Sequence, residues 1–254
     1  MKIVACYKLV PEETQISFKA NGTPDLSACE WQIGQYDLSA IEAAARVCEK
    51  NEDCHLIALT AGGDIVENSK LKKSVLSRGP EEMVAVKDAK LAAADSFATA
   101  SVLAEAIQKI GDVSLVVFGE GSADVYAQQV GPMVGAILGW NTVNAVSSLE
   151  LVDGELVIER SLEDCTENLK VALPAAVSVT SNICLPRLAS MKEILKAGKK
   201  PSAIKALDEF DCKGDSSVET VSFVAKTKAK RDCHIVANDE AGMDELLLEF
   251  RKVM

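Results

Sequence analysis

The first half of the chain alternates short apolar runs with longer segments whose apolar residues recur every three or four positions. The apolar runs predict buried strands, and the helical spacing predicts amphipathic helices. The strands are expected at residues 2–9, 54–59, 83–86 and 115–118, and the helices at 37–49, 65–76, 96–110 and 130–138. Strands that alternate with helices in this way predict a doubly wound α/β fold, with a mostly parallel sheet covered on both faces.

The pattern changes after residue 144. Two alternating runs at 145–152 and 155–160 flank Asp153-Gly154, which is typical of a β-hairpin turn. Further strands are expected at 169–173 and 176–180, followed by a short basic helix that ends near Gly198. Residues beyond 201 read as loosely packed, with a Lys-rich run at 226–231 and an amphipathic helix at 242–253. We therefore expect an α/β domain at 1–200 and a C-terminal extension at 201–254, which either wraps a partner or is partly disordered alone.

The turn between the strand that ends at Phe118 and the helix that begins near Val130 suggests a ligand site. Gly119 and Gly121 let the backbone turn sharply and approach a ligand closely. The helix that follows has a predicted buried stripe, which consists of Val130, Met133, Val134, Ile137 and Leu138, and Pro132 suits its first turn. The N-terminus of a helix after such a turn points free N–H groups at one spot and favours an anion.

Two interpretations of this turn remain open. It matches neither the dinucleotide nor the triphosphate glycine motif, and any α/β protein has glycine-rich turns. However, similar turns near 34–37 and 61–63 also follow the predicted strands, and the carboxyl ends of parallel strands meet at one edge. This convergence favours a nucleotide site over an ordinary connection.

Charge and hydropathy exclude several classes. The chain has 27 Lys and Arg against 38 Asp and Glu, a formal net charge of −11, which argues against a nucleic-acid partner. No apolar run approaches the roughly 18 residues that a membrane span needs. The apolar start is interrupted at Lys8, too early for a signal peptide. A cytoplasmic, non-membrane protein is expected.

Candidate catalytic and metal groups are sparse. The eight cysteines form no C-x-x-C pair, and the two histidines, His55 and His234, lie far apart in the sequence. No metal site is predicted, and reduced, partly buried thiols are expected for most of the cysteines. There is no G-x-S-x-G motif, and no histidine stands beside a plausible nucleophile. The sequence reads as a binding protein without acid–base machinery of its own.

Six ordered segments together resemble the β subunit of electron transfer flavoproteins, and most closely its FixA-like branch. These segments lie at 8–11 (KLVP), 36–44 (YDLSAIEAA), 76–80 (LSRGP), 121–131 (GSADVYAQQVG), 157–164 (VIERSLED) and 190–201 (SMKEILKAGKKP). The resemblance covers roughly the first four-fifths of the chain. Gly34 and Gln35 stand where ordinary members carry Asn-Pro, and the phosphate turn reads Asp124-Val125-Tyr126 instead of the usual pattern.

The resemblance implies an adenine-nucleotide α-hydrolase-like fold and an electron carrier rather than an enzyme. It implies a heterodimer in which an α subunit holds most of an FAD, with acyl-CoA-type dehydrogenases as redox partners. The β subunit itself would bind AMP or a second FAD. The cofactor-binding residues that it implies are Cys6, Gly34, Gln35, Tyr36, Asp37, Ala61, Gly119, Glu120, Gly121, Ser122, Ala123, Asp124, Val125, Tyr126, Ala127, Gln128, Gln129, Val130 and Gly131. The phosphate would lie near 128–131, and Tyr126 would either occupy the phosphate pocket or stack nearby.

Leu188, Met191 and Ile194 are the implied partner-docking residues. On pattern alone, Leu188 and Met191 are equally consistent with capping the core. Two other classes of protein also remain: a universal-stress-type adenine-nucleotide-binding module and an adenylating enzyme of related fold. The adenylating enzyme would need a pyrophosphate loop after the first strand, and Lys8-Leu9-Val10-Pro11 contains none.

Overall fold

The computed structural model describes residues 1–225 and 233–253. Its strands are β1 (Lys2–Cys6), β2 (Leu9–Pro11), β3 (Ser17–Phe18), β4 (Pro24–Asp25), β5 (Trp31–Ile33), β6 (His55–Gly62), β7 (Glu82–Lys87), β8 (Val113–Gly119), β9 (Asn141–Val152), β10 (Glu155–Ser161), β11 (Thr166–Ala172), β12 (Ala175–Val179) and β13 (Ser202–Ala206). Its α-helices are α1 (Gln35–Glu49), α2 (Ser69–Leu76), α3 (Ser96–Ile110), α4 (Val130–Leu138), α5 (Met191–Ala197) and α6 (Glu240–Val253).

Nine strands form one sheet in the order β11-β10-β9-β12-β8-β1-β6-β7-β13. The run from β9 to β13 is parallel throughout, whereas β10 and β11 add an antiparallel edge. Parallel strands need helical crossovers, and these helices cover the sheet on both faces. The predicted doubly wound α/β fold with a hairpin extension is confirmed.

Alternate side chains of each central strand enter two separate hydrophobic layers. In β1, Ile3 and Ala5 pack with α1 and α2 on one face, and Val4 packs with α3 and α4 on the other. All three side chains are fully buried. The near-continuous apolar sequence of β1 therefore follows from burial on both faces.

Several predicted boundaries are corrected. The first strand ends at Cys6, and β2 is a separate strand that pairs with β5. The segment predicted as one helix at 65–76 divides into a 3₁₀ turn at Asp64–Glu67 and α2. The division lies at Asn68, whose side chain accepts the N–H groups of Lys70 and Leu71 and so begins a new helix.

The predicted buried stripe on α4 is partly wrong. Val134 is fully buried, but Ile137 is 42% exposed. The face of α4 that meets the sheet is formed by Gly131, Val134 and Gly135. The helical period predicted that the large side chains of α4 would face the sheet. In the structure, the two glycines let the helix pack closely against the sheet.

The tail and the cysteines also differ from expectation. Residues 202–206, expected to be loosely packed, form β13, which pairs with β7 at the edge of the main sheet. Cys48 and Cys54 form a disulfide at the turn between α1 and β6, so the expectation of reduced thiols fails for this pair.

The chain divides into two compact units by its internal contacts. The first comprises Met1–Ser17 and Asp25–Ser222 and contains the whole main sheet. The second comprises Phe18–Pro24 and Phe223–Met254 and contains α6, which confirms the predicted C-terminal helix. Leu247 and Phe250 of α6 are exposed. The Lys-rich run at 226–231 lies outside the described residues.

Candidate functional site

The order of the strands places a topological switch point between β1 and β8. The chain leaves β1 toward β6 and β7 on one side and returns to β8 on the other side. Open α/β sheets bind ligands outside the carboxyl ends of the strands at such a point. In this protein those ends are Cys6 of β1 and Gly119 of β8.

Asp37 joins the backbone segments that meet at this edge of the sheet. Its carboxylate, in the first turn of α1, accepts the backbone N–H of Lys8 at 2.8 Å and that of Gly119. It therefore connects the segments that follow β1 and end β8. Burial raises the pKa of Asp37 to about 7, against the opposing effects of these hydrogen bonds and of the Lys8 charge.

Two glycines let α1 approach this edge. A Cβ atom at Gly119 would lie 2.8 Å from both Asp37 Oδ1 and the Tyr36 carbonyl carbon. A Cβ atom at Gly34 would lie 2.6 Å from Asp37 Oδ2. A larger residue at Gly119 would push the N-terminus of α1 off the strand ends, and one at Gly34 would displace the Asp37 carboxylate from its position.

Lys8 also lies at this edge and pairs with Asp124, although it was not among the predicted cofactor-binding residues. Its ammonium group lies 2.6 Å from Asp124 Oδ2. Burial raises the pKa of Asp124, but hydrogen bonds from Lys8 and Ser122 outweigh burial and hold this pKa below its ordinary value. The available signal was that Lys8 is the charged residue that interrupts the apolar run of the first strand.

Tyr126 packs against Tyr36 at this edge of the sheet. Its ring lies 5.2 Å from that of Tyr36, tilted by 48°. It also lies over Gly121, where a Cβ atom would come within 2.5 Å of it. The backbone of Tyr126 has a φ of 51°, so this loop adopts a conformation that non-glycine residues rarely take.

The N-terminus of α4 is the part of the site with anion-binding geometry. No side chain caps it, because Gln129 makes no capping hydrogen bond. The loop before it, residues 123–129, is exposed. Uncapped N–H groups and the helix dipole together favour a phosphate at this position.

The structure distributes the other predicted cofactor-binding residues around this edge. Gly34 to Asp37 and Gly119 to Tyr126 come together through the contacts described above. Ala61, partly buried, lies near the carboxyl end of β6. Cys6 is 4% exposed, and burial together with the Asp37 charge raises the pKa of its thiol.

Gly131 has a structural role that the sequence did not reveal. It is buried, and a Cβ atom there would lie 2.4 Å from Ser178 Oγ and 3.2 Å from the Phe118 ring. The backbone of Gly131 therefore approaches the protein's own strands β12 and β8.

The three predicted docking residues lie on and beside α5, and their side chains face solvent. Leu188, Met191 and Ile194 are 91%, 73% and 37% exposed. The alternative that Leu188 and Met191 cap the core is therefore wrong. Ser190 begins α5 with a capping box, in which its side chain and that of Glu193 bond reciprocally to the backbone.

A cavity of about 490 Å³ lies at the opposite, amino-terminal edge of the sheet, with Lys2, His55 and Glu82 in its lining. A smaller one of about 160 Å³ lies between α1 and β9. Neither cavity includes a predicted cofactor-binding residue.

Within residues 1–225 and 233–253, no cluster of three or more His, Cys, Asp and Glu side chains could hold a metal ion. In the same residues, no helix has the length and apolar character to cross a membrane.

The fold and this edge define a doubly wound α/β protein with a candidate phosphate-binding site at its topological switch point. The chain matches the family model described as "Electron transfer flavoprotein domain" over residues 27–209. It belongs to the electron transfer flavoprotein family, whose members are flavin-associated electron carriers rather than enzymes.

Proposed function

We propose that this chain is the β subunit of a heterodimeric electron transfer flavoprotein of the FixA-like branch. An α subunit would hold most of the FAD, and flavin-dependent dehydrogenases of the acyl-CoA type would be the redox partners. The observation that carries this proposal is the exposed loop with Leu188 and Met191, in the segment where the sequence resembles the family's docking residues. Family membership supports the electron-carrier role.

The switch-point edge is the proposed nucleotide site, for AMP or a second FAD. The uncapped N-terminus of α4 fits one phosphate group. Tyr36 and Tyr126 present a stacked aromatic surface beside it. Lys8 neutralises Asp124 and so lowers the repulsion between this acidic chain and an anionic ligand.

A bound FAD would supply the one- and two-electron chemistry of the complex. The residues of this chain would bind, orient and dock, and we assign none of them to acid–base catalysis. Leu188, Met191 and Ile194 would contact the redox partner through apolar surface, and Met191 suits this role because a flexible thioether adapts to different pockets.

A universal-stress-type regulatory module is the second candidate, because it would use a similar sheet and a nucleotide at the same edge. It gives no role to the exposed apolar side chains of Leu188 and Met191 or to the hairpin β9–β10. Membership in the electron transfer flavoprotein family favours the first proposal.

Met191→Ala tests the docking role. A buried anchor at an interface contributes about 2 kcal/mol, so electron transfer from a reduced acyl-CoA dehydrogenase should slow roughly thirtyfold at limiting concentrations. Stopped-flow absorbance of the flavin in the coexpressed complex measures the rate. Flavin content and thermal unfolding should stay at wild-type values, because Met191 is 73% exposed.

Val152→Ala is the matched control, since Val152 is also apolar and 47% exposed but lies at the hairpin turn. Equal rates for wild type and Met191→Ala would count against this loop as the docking surface. A lowered unfolding temperature in Met191→Ala would instead indicate a packing role.

A further inference from the structure

Several hydrogen bonds hold the loop between β12 and α5 to α1. Ser39 Oγ donates to the Ser181 carbonyl and Arg46 donates to the Leu185 carbonyl, but Arg187 makes the most bonds and lies next to Leu188. The Nε of Arg187 donates to Glu42 Oε2 at 2.6 Å, and its backbone N–H donates to the same oxygen at 3.2 Å. Its two terminal nitrogens reach Glu49 at 2.5 and 3.2 Å. Arg187 thus bridges two carboxylates that lie two turns apart on one helix, and its planar guanidinium holds Glu49 by a bidentate pair of hydrogen bonds that a single ammonium nitrogen cannot match.

Glu42 is a fixed attachment point. Its side chain is 5% exposed and also accepts a hydrogen bond from Arg46 at 2.7 Å. Burial raises the pKa of Glu42, but the hydrogen bonds from Arg187 and Arg46 outweigh burial and hold this pKa below its ordinary value. The carboxylate therefore stays charged and in place on α1.

The leucines on either side of Arg187 are exposed and are not held by contacts of their side chains with the core. Leu185 and Leu188 are 85% and 91% exposed, so apolar burial holds neither of them, whereas Ile183 and Cys184 earlier in the loop pack against the core. On the C-terminal side the Ser190 capping box fixes the start of α5. Arg187 is thus the last attachment to α1 before Leu188, and the capping box is the attachment after Leu188.

We propose that Arg187 is a positioning residue, which holds Leu188 and Met191 in the arrangement that the redox partner binds. This inference rests on the proposed docking function of the loop. A partner binds a pre-arranged loop without the entropic cost of ordering it. Where only a fraction of molecules holds the competent arrangement, the apparent affinity falls by that fraction.

A purely structural role accounts less well for the same contacts. Glu49 is 58% exposed, and ion pairs with exposed groups contribute little to folding stability. Glu42 keeps Arg46 as a partner when Arg187 is replaced. We therefore expect Arg187 to affect the loop and the docking step far more than the stability of the fold.

The test compares Arg187→Ala, Arg187→Lys and Glu49→Ala in the coexpressed complex. Lys50→Ala is the control, because Lys50 is the C-cap of the same helix and pairs with Glu150 of the hairpin, at 2.8 Å. Thermolysin, which cuts before large apolar residues that no proline follows, probes the loop at Leu188 and Met191, with cut sites mapped by mass spectrometry. Steady-state transfer from an acyl-CoA dehydrogenase that reduces the wild-type complex gives KM and kcat.

We expect Arg187→Ala to speed cleavage of the loop and to raise KM for the dehydrogenase about tenfold, with kcat, flavin content and unfolding temperature unchanged. Glu49→Ala should act in the same direction, and its effect should largely vanish when Arg187 is already alanine. Arg187→Lys should recover part of the wild-type KM, and Lys50→Ala should match wild type.

Unchanged cleavage in Arg187→Ala, or a fall in unfolding temperature without a rise in KM, would overturn the proposal. Faster cleavage with an unchanged KM would overturn it too. In that case Met191→Ala shows whether the docking function of the loop or only the positioning role of Arg187 has failed. A slowed transfer in Met191→Ala would mean that docking stands and only the role of Arg187 fails, whereas wild-type transfer would mean that the loop does not dock.

Discussion

Asp37 sets the spacing of the switch-point edge, because its carboxylate holds the backbone on both sides of the proposed nucleotide site. The sequence placed Asp37 in the first turn of a helix and in the candidate site. It could not show that the carboxylate is buried or that it bonds Lys8 and Gly119, because those contacts join segments 29 and 82 positions apart in the chain.

The pH dependence of stability tests the environment of Asp37. Its pKa rises from an ordinary 3.8 in the unfolded chain to about 7 in the fold. The stabilising contribution is therefore full below pH 3.8 and is lost as the pH rises through 7. Between pH 4 and pH 8 the free energy of unfolding of wild type should fall, relative to Asp37→Asn, by on the order of 3 kcal/mol. Urea denaturation at several pH values measures this difference, and parallel pH profiles for the two proteins would contradict the account.

The glycines of the turn between β8 and α4 show what a glycine-rich motif can and cannot predict. The sequence interpretation linked Gly119 and Gly121 to a close approach of the backbone to a ligand, and in the structure both glycines also make room for the protein's own residues, Asp37 and Tyr126. The predicted site also includes Gly131, which packs against Ser178 and Phe118. A sequence does not distinguish a close approach to a ligand from a close approach to a neighbouring strand.

Gly131→Ala should therefore destabilise the fold. The added methyl group would overpack the contact of α4 with the sheet, which typically costs about 1–3 kcal/mol. Gly198→Ala is the control, since a Cβ atom there makes only ordinary contacts, with the Lys73 side chain at 3.5 Å and the Leu195 carbonyl oxygen at 3.6 Å. Urea denaturation should show a lower midpoint for the first variant and little change for the second. If both variants match wild type, the packing explanation is wrong.

At the scale of elements, the strong periodic segments were predicted well and their ends less so. The helices at 37–49 and 96–110 appear as α1 and α3 with shifts of at most two residues, because long amphipathic patterns survive in the fold. The segment at 65–76 was misjudged because the cap at Asn68 begins a new helix within one pattern. β13 was missed because its edge position leaves Ser202, Lys205 and Ala206 exposed, which removes the apolar signal.

The N-terminus of α4 offers a prediction about the nucleotide. Gln129→Asp puts a negative charge where the phosphate would lie, while aspartate remains a good N-cap for the helix itself. The affinity of the chain for AMP, measured by calorimetry, should fall about tenfold or more through charge repulsion. Gln129→Asn is the matched neutral N-cap and should retain most of the affinity. Equal affinities for the two variants would place the phosphate away from α4.

At the scale of the whole molecule, alternation of strands and helices was enough to predict the layered α/β architecture, and the parallel sheet with helices on both faces confirms it. The sequence pattern also gave the hairpin, whose turn at Asp153 and Gly154 has the positive φ values that its Asp-Gly sequence indicated. The network around Arg187 was not predictable, because a cation in an apolar loop gives no indication of which distant carboxylates it meets.

The exposed apolar side chains of α6 belong to a separate compact unit, and they are consistent with a tail that binds another chain. A large exposed apolar surface often marks a site of protein–protein interaction. This agrees with the proposal that the protein functions as one half of a heterodimer.

The most direct test of the central claim is the visible spectrum of the chain purified alone and after coexpression with an electron transfer flavoprotein α subunit. We predict that the chain alone is colourless. The coexpressed sample should elute as a yellow 1:1 complex that releases FAD on denaturation. A chain that stays colourless and elutes separately from the α subunit would contradict its assignment as the β subunit. Stoichiometric FAD on the chain alone would contradict the assignment of the flavin to the partner.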